Sequence, residues 1–245
     1  MKVFAPGETV RVSYNLIPFA GKATDAADLG REAGTGPIEP LASSSAATGS
    51  VDLGALQRCL RVATCPRLAT SPMVDGNLTD ACWDAAGSLG NFVNLTSTGL
   101  PDAQTEVLLG HDHQALYLAV VCHEPLMSQV RAEAQAGSRQ VWTDDCIEVL
   151  LAAGEAPTPY AQFIVNPLGV TQEALSAGQP TSDTWSAATK CGEDRWCAEL
   201  RIPFLLLGAE MPQSGAAWRL NVCRSRLPKQ EWSAWSPTLR EADFH

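Results

Sequence analysis

Between Thr105 and Trp235 the chain repeats one pattern: a short run of β-branched, aromatic and aliphatic residues, ended by Gly, Pro, Asn or Asp. The runs are Thr105–Gly110, Ala115–His123, Cys146–Ala152, Tyr160–Asn166, Trp185–Thr189, Trp196–Ile202, Trp218–Cys223 and Trp232–Trp235. They recur at intervals of roughly 8–15 residues, and strands this short with turn chemistry between them pack as a sandwich or barrel rather than as alternating βα units. The expected fold class is all-β, an antiparallel sandwich. Only two short helices are expected, over Asp80–Ala86 and Met127–Ala136.

The pattern divides the chain. Residues 1–19 alternate weakly around Pro6-Gly7 and read as the tail of a preceding β-rich domain. Residues 20–71 begin with a long stretch of Ala, Gly, Ser and Thr without periodicity, which predicts a largely irregular linker. Residues 72–245 form the sandwich, of immunoglobulin-like or jelly-roll-like kind. Both ends read as interior sequence, so a fragment of a longer chain with other domains is expected, with the last strand of the sandwich missing.

Hydrophobic residues make up 45% of the 245, enough for a real core. The net charge of −10 repels phosphate backbones and anionic lipid, which argues against nucleic acid and membrane surfaces as partners. No apolar run is long enough to span a bilayer, and the N-terminus has no signal-peptide core. None of the eight cysteines forms a C-x-x-C pair, so a zinc ribbon is not expected. Cys191 and Cys197 flank a turn and are a candidate disulfide, as are Cys59 and Cys65.

Side chains alternate along a strand, so faces can be read. In Tyr160–Asn166, Ala161, Phe163 and Val165 share a core-like side, and Gln162 and Ile164 point the other way. In Cys146–Leu151, Ile147, Val149 and Leu151 oppose Cys146, Glu148 and Leu150. Glu148 is costly to bury unpaired. It is either a solvent-facing residue or partner of an arginine, or an acceptor aimed at ligand hydroxyls. Trp83, Trp185, Trp196 and Trp218 lie in or beside strand patterns and read as core. Trp142 follows Gly137-Ser138-Arg139-Gln140 and precedes Thr143-Asp144-Asp145, a loop-like setting that favours exposure.

Several stretches carry a more specific signal. Val74-Asp75-Gly76-Asn77-Leu78, then Trp83, open the sandwich. His111-Asp112 precedes Ala115-Leu116-Tyr117-Leu118. Trp142-Thr143-Asp144-Asp145-Cys146-Ile147-Glu148-Val149 is followed by Tyr160-Ala161-Gln162-Phe163-Ile164-Val165-Asn166. Trp196-Cys197-Ala198-Glu199 leads to Ile202-Pro203, and Asn221 through Arg224 to Trp235-Ser236-Pro237. In order and spacing these resemble the family 9 carbohydrate-binding modules. The resemblance implies a non-catalytic sandwich that binds a sugar or polysaccharide end. It also implies attachment to a secreted or cell-surface bacterial protein of the glycoside-hydrolase type, in polysaccharide catabolism. By motif position Trp142 would be one aromatic plane, with Asp145, Glu148, Gln162 and Asn166 beside it and Phe244 as the second plane. Phe244 stands where the family's binders can have Trp, and Ile164 where they can have Arg. Structural calcium is also implied, with Asp75, Asp112 and Asp145 as candidate ligands; no other cofactor is expected. Six residues separate Trp142 from Glu148, about 20 Å when extended. A bend near Thr143–Asp145 is therefore needed for both to reach one sugar.

Three other readings stand beside this one. A sandwich that has lost its ligand would serve as a structural spacer. A haem-binding sandwich would use Met127 with His111 or His123. An enzyme would pair Glu148 with Asp145 or Glu199, but no H-E-x-x-H array or G-x-S-x-G elbow accompanies them.

Overall fold

The computed structural model describes residues 9–15, 60–95, 99–154, 160–175, 183–236 and 244. One compact unit comprises residues 1–14 and 61–245, and residues 15–60 form a second. Among the described residues the strands are β1 (Thr9–Asn15), β2 (Leu60–Pro66), β3 (Gly87–Leu89), β4 (Val93–Asn94), β5 (Thr105–His111), β6 (Ala115–His123), β7 (Cys146–Ala152), β8 (Ala161–Val165), β9 (Thr171–Leu175), β10 (Ser186–Cys191), β11 (Arg195–Pro203), β12 (Ala217–Arg226) and β13 (Glu231–Ala234). Among the described residues no helix is long and apolar enough to cross a membrane.

Two sheets face each other. The larger runs β2-β1-β12-β7-β8-β9, with β13 on the last residues of β12 and β4 on β13. The smaller runs β10-β11-β6-β5-β3. The ladders around the core are antiparallel, whereas β1 lies parallel to β12. The fold is the expected all-β sandwich.

Alternation fills the space between the sheets. Ile147, Val149 and Leu151 of β7 and Ala161, Phe163 and Val165 of β8 meet Leu116, Leu118 and Val120 of β6 and Trp196, Ala198 and Leu200 of β11. Each large aliphatic or aromatic side chain buried there contributes roughly 1.5–3 kcal/mol. One end of this core is closed by charge. Glu124 accepts from Arg226 at 2.7 and 2.9 Å and from Arg224 at 3.2 Å, with all three side chains buried. Burial acts to raise the Glu124 pKa, but the hydrogen bonds and charges of these arginines hold it below the usual carboxylate range.

The outer face of the smaller sheet is covered by the chain between Leu68 and Ala86, which packs Leu68, Cys82 and Trp83 on Ala115, Tyr117 and Ala119. Glu199, fully buried on β11, fastens this cover. Its carboxylate accepts from the Asp75 N–H at 3.0 Å, the Gly76 N–H at 2.9 Å and the Trp83 indole N–H at 3.0 Å. Gly76 has φ +81° and lies so close to β10 that a Cβ would stand 2.7 Å from the Thr189 carbonyl carbon. Only glycine meets both conditions.

Several expectations need correction. Strand β2 lies inside the stretch read as linker, yet Ala63 and Cys65 belong to the core. Its sequence hid it, because Arg61 breaks the apolar run and Pro66 ends it. Strand β1 pairs with β12 of this sheet instead of ending a separate domain. The remainder of the proposed linker, residues 20–59, and the C-terminal residues other than Phe244 beyond Ser236 lie outside the described residues. The helix expected over Met127–Ala136 is a single 3-10 turn, Met127–Gln129, and Asp80–Ala86 becomes a 3-10 turn over Ala81–Ala85. The register sets Cys191 opposite Trp196 and Cys197 opposite Lys190. The two thiols therefore point to opposite faces and are free. Cys59, of the other candidate pair, lies outside the described residues.

The Glu199 fastening is testable. Glu199→Ala leaves three N–H groups without an acceptor, so unfolding in urea should show a loss of about 3–5 kcal/mol. A loss below about 1 kcal/mol would mean the 68–86 cover is held by packing alone.

Candidate functional site

The side chains of the larger sheet that do not face the core form a second surface. Register aligns them across the strands: Trp232 of β13 opposite Ser225 of β12, Ser225 opposite Cys146 of β7, Cys223 opposite Glu148, Glu148 opposite Ile164 of β8, and Ile164 opposite Gln172 of β9. Five strands at the usual spacing make this floor about 19 Å wide.

A 3-10 turn, Val141–Thr143, hangs over the β8–β9 side of that floor. It is anchored on both flanks of Trp142. Val141 is fully buried against Cys146 and Ile164, and its N–H donates to the Gln172 side chain at 3.0 Å. Asp144 accepts from the Glu133 and Ala134 N–H groups and from the Asn166 amide at 2.9 Å. Asp145 accepts from the Arg131 N–H at 2.8 Å and the Leu227 N–H at 3.1 Å. With its neighbours so fixed, Trp142 stays 52% exposed. The turn supplies the bend that the Trp142–Glu148 spacing required.

Beneath lies a cavity of about 560 Å³, lined by Trp142, Thr143, Glu148, Gln162, Ile164, Gln172, Ser225, Leu227, Trp232 and Phe244. Four of the six expected site residues line it: Trp142, Glu148, Gln162 and Phe244. The other two do not. Asp145 and Asn166 are buried, and their side chains are spent on the chain itself; the Asn166 side-chain oxygen Oδ1 accepts from the Leu168 and Val170 N–H groups. Motif position misled here because a short polar side chain beside a turn bonds the local backbone. Phe244 is not a free second plane. It is 7% exposed and packs with Leu95, Cys223 and Ala234. Sequence reasoning left Trp232 undecided and missed Gln172, Ser225 and Leu227. The half-buried Trp232 enters from the β13 end. The parity of β12 would have put Ser225 on this face.

The electrostatics centre on Glu148. Gln162 donates to it at 2.6 Å, and its carboxyl is 4% exposed as a residue. Burial raises its pKa from 4.5 to about 7, an effect the Gln162 hydrogen bond only partly offsets. The neighbouring Cys146 and Cys223 thiols are pushed well above 9 by burial and stay neutral. The floor thus offers one carboxyl, amides and a hydroxyl, flanked by indoles.

The residues of the other readings do not converge. Glu199 lies on the opposite sheet and Asp145 faces backbone, so Glu148 is the one carboxyl among the described cavity residues. His111 and His123 sit at opposite ends of the β5–β6 hairpin; His123 turns to Glu106 on the outer face, whereas Met127 packs against the core. Asp75 accepts from Asn77, and Asp112 from Ser71, Tyr117 and two backbone N–H groups. Among the described residues no group of three or more His, Cys, Asp or Glu gathers as a metal site.

Comparison with known proteins places the architecture. A protein from Bacteroides uniformis described as a candidate carbohydrate-binding protein superposes with a TM-score of 0.54 at 17% identity, over 72% of this chain and 90% of that one. A family 9 carbohydrate-binding module from Caldicellulosiruptor kristjanssonii, in complex with glucose, gives 0.48 at 17% identity, over 69% and 82% of the two chains. Its cellotriose complex gives 0.47 at 17% identity, over 67% and 78%. No protein-family model and no curated protein matches the sequence.

Glu148 yields a pH prediction. Between about pH 4.5 and 7 the folded chain keeps a proton that the unfolded chain has released, so stability falls as pH rises through that window and levels off above it. The shift corresponds to about 3 kcal/mol. Glu148→Gln lacks this loss. Urea unfolding should therefore show the variant gaining about 3 kcal/mol on the wild type between pH 4.5 and 8; a gap independent of pH would place the carboxyl in water.

Proposed function

We propose that this chain is a non-catalytic carbohydrate-binding module that holds a sugar on the outer face of its larger sheet. The observation that carries the reading is a half-exposed indole, Trp142, anchored beside a cavity whose floor holds the Glu148–Gln162 pair. A pyranose has an apolar C–H face and a rim of hydroxyls. The indole covers the first, burying up to about 150–250 Å² of aromatic surface. The carboxyl and the amides of Gln162 and Gln172 bond the second, and a charged acceptor gives the stronger bonds. The motif resemblance and the likeness to the Bacteroides uniformis fold support the same reading. Among the described residues the cavity holds one carboxyl, which suits a binder, whereas glycoside cleavage takes two that flank the scissile bond.

The module would serve a larger polysaccharide-processing protein by keeping it on its substrate. Polymeric substrates lie outside the cell, so a secreted or cell-surface location goes with this role.

Calorimetric titration with soluble oligosaccharides, and pull-down on insoluble polysaccharides, test the reading. Trp142→Ala should weaken sugar binding at least about tenfold, while stability changes by less than about 1 kcal/mol because the side chain is half exposed. A wild-type chain that binds no saccharide would leave a spacer sandwich. A variant that binds as well as the wild type would remove Trp142 from the site.

A further inference from the structure

The buried carboxylates of the described residues differ in how well they are satisfied. Glu124 takes two arginines and the Leu126 N–H. Glu199 takes three N–H groups, Asp144 three and Asp145 two, and Asp112 takes two N–H groups and two hydroxyls. Glu148 takes one, from the neutral Gln162 amide. It is also the one among them that opens onto the cavity.

Among the described residues its surroundings supply no positive charge. Cys146 flanks it on its own strand, Cys223 stands opposite on β12 and Ile164 opposite on β8. Gln172, Ser225, Thr143 and Leu227 complete the polar and aliphatic lining, and no Lys, Arg or His belongs to it among the described residues. Ile164, 1% exposed, and Cys223, fully buried, fill the two cross-strand positions from which a cation would reach the carboxyl directly. Two indoles and a phenyl ring border the same space. A carboxylate buried among apolar groups without a counter-ion is costly, and aromatic faces attract cations. Among the described residues the cavity therefore lacks the positive charge that its own side chains would best accommodate.

The geometry points to a glycan with free, protonated amino groups, a polymer of hexosamine units, as the preferred ligand, its ammonium against Glu148 and its ring against Trp142. This assignment rests on the carbohydrate-binding reading of the cavity and narrows it. The ligand completes the ion pair that Ile164 withholds. Uronate polymers, whose carboxylates would meet Glu148, are excluded by the same charge.

Three trimers with the same β-1,4 backbone separate the possibilities: glucosamine trimer, its N-acetylated form and cellotriose. In calorimetry with the full chain the glucosamine trimer should bind about tenfold or more tighter than the other two, the gain expected of a hydrogen bond between charged groups. Glu148→Gln should level the three affinities. Added salt should weaken the glucosamine trimer and leave cellotriose unchanged, a readout that needs no variant. Equal affinities in the wild type, or a preference that survives Glu148→Gln, would overturn the amino-sugar assignment and leave carbohydrate binding standing. Failure of all three trimers and of the polysaccharide panel would overturn both.

Discussion

Strand β7 is covered on both faces, and its side chains alternate. The residues that close the core, Ile147, Val149 and Leu151, thereby commit Cys146, Glu148 and Leu150 to the other side. The same parity on β8 and β12 sends Gln162, Ile164 and Ser225 there as well. A slip of one residue would exchange the two sets, placing a carboxyl in the core and aliphatics in the cavity, so register is strongly enforced. Asp144 and Asp145, just before β7, reinforce it. One ties the turn to Asn166 after β8, and the other ties it to Leu227 after β12. Core and cavity are thus two consequences of one alignment.

Polar residues divide accordingly. Most of the buried ones hold the fold. Glu199 secures the outer cover, Asp112 the β5–β6 turn, Asn221 the Ser236 backbone and Glu124 the end of the core. Each is satisfied by donors from its own chain. Among the buried carboxylates of the described residues Glu148 is the exception, held by one amide under an open cavity. Its raised pKa goes with its place at the cavity, burial without full partnering.

This division explains what was legible in the sequence. Alternation and turn residues located β5 through β8 and β10 through β13 to within a few residues; all but the edge strand β10, which has no buried residue, commit a face to the core. Strand β9, Thr171–Leu175, escaped notice because its Gln, Glu and Ala lie on an exposed edge, where no core face imposes a pattern. The motifs marked the fold more reliably than the site. Asp75, Asp112, Glu199, Asn166 and Asn221 carry them, and their side chains bond backbone or neighbouring structural groups. Hence Asp145 and Asn166, expected beside a ligand by motif position, brace the turns around the cavity. Trp142 was legible from its polar loop setting. Trp232 was not, because its exposure depends on where β13 meets β12 and β4.

The most direct measurement is proton–nitrogen NMR of the full chain during titration with soluble oligosaccharides, read at the seven tryptophan indole N–H signals. The signals of Trp142 and Trp232 should move together with added sugar, while those of Trp83, Trp196 and Trp218, closed into the interior, stay in place. Movement confined to the interior indoles, or none at Trp142, would contradict a sugar seat on the outer face of the larger sheet.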